Sequence, residues 1–246
     1  MKQKVVHMKQ IPRPEHPRPD FFRPDWMNLN GEWQFAFDEK DQGLTENWQA
    51  PGKALPLSIT VPFAHQTPAS GLNDQRISNV IWYKRAFLLP ETMKGRRVLL
   101  RFGAVDYYAD VWLNDVYLGF HEGIFNPFEF DVTDILRKDR QNVLVVKDGA
   151  PRDTTEYINA GMDRDTHLSE KYQRHQAKAI TQIKGHMIDA MHRPGSMTSF
   201  RQDGNSAGIW DEVALVIRPS VFVEYVKITT KTVLKKDWQG DGKDKP

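Results

Sequence analysis

Between Glu32 and Asp38 the apolar side chains Trp33, Phe35 and Phe37 occupy every second position. That period of two recurs along the chain and restricts its fold more than any other feature. Successive side chains of a strand point to opposite faces, so a segment of this kind buries one face and wets the other. The same signature predicts strands near 57–61, 80–89, 98–102, 109–113, 116–120, 128–131, 142–147, 209–217 and 221–229. Asn114-Asp115 stands between Val111-Trp112-Leu113 and Val116-Tyr117-Leu118, and both residue types tolerate the positive φ of a two-residue hairpin turn. Many short strands separated by turn residues, with little helical periodicity, predict an all-β antiparallel sandwich rather than a doubly wound sheet.

Two stretches break the rhythm. Pro12, Pro14, Pro17, Pro19 and Pro24 lie among charged residues, which predicts an extended arm over residues 1–25 and folded structure from about Trp26. Farther on, Leu168, Tyr172, Ala179, Ile183, Met187 and Met191 recur at multiples near four, ahead of Pro194-Gly195. That spacing predicts an inserted amphipathic helix within about 163–192, its apolar side packed on the sandwich or on a neighbouring subunit. Thr133-Asp134-Ile135-Leu136 reads as one helical turn capped by Thr133, and the polar residues 235–246 read as a frayed end.

Composition removes several function classes. The chain has 246 residues, 39% of them apolar and 11% aromatic, enough for a real core. Its net charge of +2 is dispersed, giving no nucleic-acid or anionic-membrane footprint. No run approaches the roughly 18 apolar residues of a membrane span, and residues 1–22 lack a signal-like core. A cytoplasmic location, or a periplasmic or secreted one after signal removal, fits equally. Without cysteine there are no disulfides or thiolate metal sites.

No metal or cofactor is expected. His121-Glu122 has no second histidine at zinc-protease spacing and reads as an ordinary turn; His175, His186 and His192 lie too far apart on the predicted helix to share an ion. Gly240-Asp241-Gly242-Lys243 lacks the remainder of a phosphate loop, and serine-hydrolase chemistry is set aside. Glycoside hydrolysis needs two carboxylates about 5–5.5 Å apart for retention, and counting among 32 acidic residues singles out no pair. Trp112, Trp210 and Trp238 could stack on sugar rings, although strand tryptophans are more commonly core.

Longer strings are more specific. Trp26 with Leu29-Asn30-Gly31-Glu32-Trp33-Gln34-Phe35 opens a series of blocks. It continues through Ile59-Thr60-Val61-Pro62, Trp82-Tyr83-Lys84-Arg85-Ala86-Phe87 and Val98-Leu99-Leu100-Arg101-Phe102-Gly103-Ala104-Val105-Asp106. Ala109-Asp110-Val111-Trp112-Leu113-Asn114, Gly119-Phe120-His121-Glu122-Gly123 and Pro127-Phe128-Glu129-Phe130-Asp131-Val132-Thr133 follow. Asn142-Val143-Leu144-Val145-Val146 and Ser206-Ala207-Gly208-Ile209-Trp210 close it. In this order, across 26–219, they resemble the N-terminal domain of family 2 glycoside hydrolases, the β-galactosidase/β-glucuronidase group.

The resemblance implies a jelly-roll sandwich similar to galactose-binding domains, normally followed by an immunoglobulin-like domain and a (β/α)₈ barrel. It places the catalytic carboxylates on that barrel, the acid/base within an Asn-Glu pair. No Asn precedes a Glu here, and the strand pattern leaves no room for a barrel of about 250 residues. The implied organisation is a jelly roll over 26–219, carrying an insertion at about 149–205, and the start of a truncated immunoglobulin-like domain or a tail at 220–246. The implied function is that of the non-catalytic domain of a β-glycosidase. It has no catalytic residue of its own, and it meets a β-glycoside only through the whole enzyme, with the immunoglobulin-like and barrel domains as partners. An autonomous carbohydrate-binding module, or a structural domain forming a homo-oligomer contact through the inserted helix, are the alternatives.

Several relatives carry an Asp shortly before the Ala/Ser-Gly-Ile string that reaches substrate hydroxyls. That register falls between Gln202 and Asp203, with the Asn205 amide also in range. A carboxylate suits the task because it accepts two hydroxyl hydrogen bonds with charge assistance. The competing reading is a plain Asp203-Gly204 turn. Two departures stand out: the long connection across 149–205, and Asp211 where an Arg often follows the Gly-Ile-aromatic string.

Overall fold

The computed structural model describes residues 11–16, 22, 24–74, 76, 78, 80–149, 207–223 and 226–229. Twelve strands follow one another among them: β1 (Trp26–Asn28), β2 (Gly31–Phe37), β3 (Leu57–Val61), β4 (Val80–Phe87), β5 (Val98–Phe102), β6 (Val105–Asp106), β7 (Tyr108–Leu113), β8 (Val116–Glu122), β9 (Phe128–Asp131), β10 (Asn142–Gly149), β11 (Gly208–Ile209) and β12 (Val213–Ile217). They form a six-stranded sheet ordered β3-β2-β4-β10-β7-β8, a four-stranded sheet ordered β1-β12-β5-β9, and a two-stranded β11-β6 ribbon. Every pairing is antiparallel. This is the expected all-β sandwich. The inserted helix expected within 163–192 lies outside the described residues.

The alternation read from the sequence decides which side chains fill the space between the sheets. Trp33 and Phe35 of β2, Ile81 and Tyr83 of β4, Leu144 and Val146 of β10, and Val111 and Leu113 of β7 meet Leu100 and Phe102 of β5 and Val213, Leu215 and Ile217 of β12 in one cluster. Each such side chain contributes roughly 1.5–3 kcal/mol by leaving water. The outer face of the six-stranded sheet is also covered. Trp82, Trp112, Val143 and Val145 form a second cluster, in which the rings of Trp82 and Trp112 stack at 5.8 Å. Trp112 is therefore core.

The covering layer comes from turns after β2. The Asp38 carboxylate accepts hydrogen bonds from the backbone N–H of Gln42 and Gly43 and from Trp82 Nε1, at 2.8, 2.8 and 2.9 Å. Gly43 lies so close to the Trp82 ring that a Cβ there would stand 2.6 Å from it. Trp48 completes the lid, edge-on to Trp82 at 5.9 Å.

Asn114 and Asp115 turn the β7–β8 hairpin with φ of 55° and 73°, as their residue types predict. Asp115→Gly is expected to stabilise the domain by about 0.5 kcal/mol, because relief of left-handed strain slightly exceeds the entropy glycine adds to the unfolded chain. Chemical denaturation of the variant checks this; a lower midpoint would contradict it.

Several expectations need correction. The strand expected over 209–217 is two strands, because the chain turns at Asp211-Glu212 to leave the β6 ribbon and join β5, with Gly103 N–H bonded to Glu212 O at 2.8 Å. No ladder forms at 221–223 or 226–229 among the described residues. Thr133 does not cap its turn. The Asp131 carboxylate accepts the Thr133 backbone N–H, and the Thr133 hydroxyl receives Val98 N–H, tying the turn to β5 instead. His121 and Glu122 belong to β8 rather than to a turn, and the His121 ring stacks on Phe128 at 4.0 Å. The described part of the arm is tied down: Asn28 and Asn30 donate to the carbonyls of Arg13 and Pro12.

Candidate functional site

Gln202, Asp203 and Asn205 lie outside the described residues, as do Trp238 and the three spaced histidines, so the structure neither brings these positions together nor separates them. It does show the two places where the chain leaves and re-enters the sandwich around them. Strand β10 ends with Gly149 opposite Tyr108, and β11 begins with Gly208 opposite Asp106. Residues 106–108 thus hold both roots of the connection.

The corner so formed carries polar groups in an apolar setting. On β10, Leu144, Val146 and Asp148 share the inward face, so alternation drives the Asp148 carboxyl into the end of the core beside Ile81, its partner on β4. Asp148 is 0% exposed and Asp106 5% exposed. Neither oxygen of Asp148, nor Asp106 Oδ1, nor the Tyr83 hydroxyl makes a hydrogen bond of good geometry. The backbone N–H of Tyr107 leans on the Asp148 carboxyl, and that of Ile209 on the Tyr83 hydroxyl.

Burial sets the protonation here, because a charge without water or a partner is costly. It raises Asp106 to about 8. It raises Asp148 well above the ordinary carboxyl range, with the charge of Asp106 adding to the effect. The Tyr83 phenol is likewise pushed up, first by burial and then by Asp148. On the opposite side of the sheet Tyr107 donates to Glu122 at 3.3 Å, and burial followed by Glu122 raises it to about 12.

Closed to solvent, Asp106 and Asp148 cannot flank a glycosidic bond as an acid and a nucleophile must. Nor do the described residues contain a group of three or more His, Asp or Glu placed to hold a metal ion. The corner is an anchor. Gly204-Asn205-Ser206-Ala207-Gly208 does spell Gly-x-Ser-x-Gly, but a nucleophile elbow requires a helix after the serine, and here Gly208 starts a strand.

Two features lie nearby. Trp210 is 37% exposed and Phe125 52% exposed; they meet edge-on at 5.7 Å, and Trp210 Nε1 donates to Ile124 O at 3.1 Å, which fixes the indole. Glu212 is raised to about 7 by burial and by its hydrogen bond with Asp211, against the pull of Arg101 at 3.6 Å. Sequence reasoning passed over Asp106 and Asp148. The available signal was Asp148 itself, in phase with Leu144 and Val146 on a strand whose other face, Val143 and Val145, is also apolar.

Comparison with known proteins gives this geometry a context. A family model described as the sugar binding domain of glycosyl hydrolases family 2 matches residues 26–172, more than half the chain. A β-glucuronidase of Paenibacillus borealis is 31% identical over 121 residues, covering 48% of this chain and 20% of that protein. The Canis lupus familiaris β-glucuronidase is 34% identical over 119 residues, covering 45% and 18%. A β-galactosidase of Thermoanaerobacter pseudethanolicus is 30% identical over 111 residues, covering 45% and 13%. The solved Bifidobacterium dentium β-glucuronidase, complexed with coumarin-3-O-glucuronide, aligns over 78% of this chain and 29% of its own with a TM-score of 0.51 at 29% identity. The chain spans about a fifth or less of the curated relatives it matches.

Proposed function

The chain belongs to glycosyl hydrolase family 2, whose sugar-binding domain it carries, and from that premise we propose that it serves as the non-catalytic sandwich of a β-glycosidase. In this role it supports a catalytic barrel and lends the connection between β10 and β11 to the mouth of the active site. The observation that carries the reading is the family match on the sandwich itself, joined to the small share of each relative that the sandwich represents. Gln202, Asp203 and Asn205 are proposed to meet sugar hydroxyls from that connection, immediately ahead of β11. The relatives' names favour β-glucuronides or β-galactosides as the class of substrate.

The segment after β12 supports a partner domain. Val221 and Ile228 are 86% and 87% exposed, and Val223 and Val226 are more than half exposed. Phe222, beside them, lies 5.8 and 5.4 Å from the guanidinium groups of Arg97 and Arg218 at the edge of the sandwich. Apolar side chains presented in this way call for another surface, as the first strand of an immunoglobulin-like domain would.

The chain is expected to show no turnover of 4-nitrophenyl β-D-glucuronide or 4-nitrophenyl β-D-galactoside, since both catalytic carboxylates are assigned to the barrel. Hydrolysis that co-purifies with the chain and disappears on replacing one of its acidic residues would overturn the proposal. The fixed, half-exposed Trp210–Phe125 pair favours a second reading, a carbohydrate-binding module acting without the barrel, because aromatic faces suit the apolar faces of sugar rings. Titration calorimetry with glucuronides and galactosides separates the two: saturable heat lost in Trp210→Ala supports the module, and no heat supports the scaffold.

A further inference from the structure

The scaffold role leaves the buried acidic corner unused. Its surroundings can be taken element by element among the described residues. Strand β4 contributes Tyr83, residues 106–108 contribute Asp106 and the phenols of Tyr107 and Tyr108, β8 contributes Glu122 beyond Tyr107, and β10 contributes Asp148. Strand β11 offers only backbone at Gly208 and Ile209. The described cations nearby are turned elsewhere: Lys84 to the carbonyls of Ala50 and Lys53, Arg85 to the Glu32 carbonyl, Lys147 to Asp41 on the outer face, Arg101 to Glu129 and Glu212, and Arg76 to Asp74 and the Phe37 ring. His65 faces Phe37 and the Arg76 carbonyl. No described cation stands opposite Asp106 or Asp148.

If either carboxyl ionises it must be hydrated, and water enters where the structure is held least. Strand β10 is held to β4 by eight residue pairs and to β7 by six, from Asn142↔Phe87 to Gly149↔Val80 and from Leu144↔Leu113 to Gly149↔Tyr108. Strand β11 is held to β6 by two pairs, Gly208↔Asp106 and Ile209↔Val105. Opening therefore costs least at the ribbon, and one of its two pairs contains Asp106 itself.

We propose that Asp106, Asp148 and Tyr83 form a proton-held clasp: with the carboxyls neutral β11 stays paired with β6, and when they ionise β11 parts from β6 while the two main sheets stay closed. The sign follows from linkage. A carboxyl raised on folding binds its proton more tightly in the fold, so its contribution is full below the ordinary Asp value of 3.8 and declines as pH rises toward about 8, the value of Asp106. The clasp therefore loosens through neutral pH toward mild alkali. It acts on the chain directly entering β11, where the proposed sugar contacts lie.

Hydrogen exchange of this chain, corrected for the intrinsic pH dependence of amide exchange, tests the clasp. Between about pH 5 and pH 8.5, amides of 105–109 and 208–210 are expected to lose protection by roughly tenfold or more, since each unit of displaced pKa is a factor of ten, while β4 and β10 keep theirs. The double variant Asp106→Asn with Asp148→Asn, neutral at both positions at every pH, should hold its ribbon protection at the higher pH. Equal pH responses in the two proteins, or an unchanged ribbon in the parent chain, would overturn the proposal. Side-chain carboxyl ¹³C titration of the parent decides the matter even if the variant folds poorly: Asp106 and Asp148 titrating near their ordinary value would also end it.

Discussion

Gly208→Ala is expected to destabilise the domain by about 2–5 kcal/mol, combining the usual cost of overpacking with that of a non-glycine residue at a strained dihedral. A Cβ at this position would stand 1.9 Å from the Tyr83 hydroxyl and 3.1 Å from Ile81 Cδ1, and the residue has a φ of +98°. The hydroxyl cannot swing away, because Tyr83 is completely buried in the inter-sheet cluster. In a domain of this size the loss corresponds to roughly 5–15 °C in Tm. Pairing the change with Tyr83→Phe should recover part of it by removing the hydroxyl, leaving the dihedral strain. A thermal midpoint within a degree of the parent would show that β11 moves aside freely and that this contact does not fix the corner. The glycine of the Ala207-Gly208-Ile209 string thus has a physical reason: the backbone of β11 passes directly against the end of a tyrosine.

The sequence disclosed the sandwich because its strands have two distinct sides. Trp33 and Phe35, or Leu144 and Val146, announce an inward face regardless of where partner strands lie. What alternation does not carry is the point at which a strand changes partner. Residues 209–217 are continuously β-like, yet the chain breaks at Asp211-Glu212, where Gly103 approaches so closely that a Cβ there would stand 2.6 Å from Glu212 Oε2. That contact is non-local. The ribbon strand β6 has two residues, too short for any periodic signal. Capping failed for a similar reason: Thr133 has the chemistry of a cap, but Val98 N–H, 35 residues away, takes its oxygen.

The corner was legible in principle and hidden in practice. Asp148 follows Val146 at the spacing of an inward residue, but Lys147-Asp148-Gly149 at a strand end also looks like an ordinary polar exit into a loop. Only the pairing of β10 with β4 up to Gly149↔Val80 shows that the strand continues past the point where polarity suggests it stops. The proposed sugar-contact residues Gln202, Asp203 and Asn205 rest on resemblance alone. Their neighbours on the described side, Ala207 and Gly208, are explained by packing rather than by chemistry.

The second large effect concerns the outer face, where Lys147 and Asp41 form an ion pair with side chains 0% and 2% exposed. Lys147 projects from β10 opposite to Asp148, its ammonium 5.7 Å from the centre of the Trp82 ring. Asp41 comes from the turn that Asp38 pins over the same indole, and holds a φ of 51°. Asp41→Ala is expected to cost about 3–5 kcal/mol, because it removes a buried carboxylate paired with an ammonium from which water is excluded; the net worth of the intact pair is smaller, since desolvating both charges offsets much of their attraction. Substituting both residues separates the two quantities. Asp41→Ala with Lys147→Met should lie within about 1.5 kcal/mol of the parent, the methionine filling the lysine's path beside Trp82 without a charge. Denaturant midpoints of the two single variants and the double variant form a closed cycle, and low salt dependence is expected for a pair this deeply buried. If Asp41→Ala costs less than about 1 kcal/mol, water or another group of the chain compensates the Lys147 ammonium, and the covering turns are held by the Asp38–Trp82 contacts rather than by the ion pair.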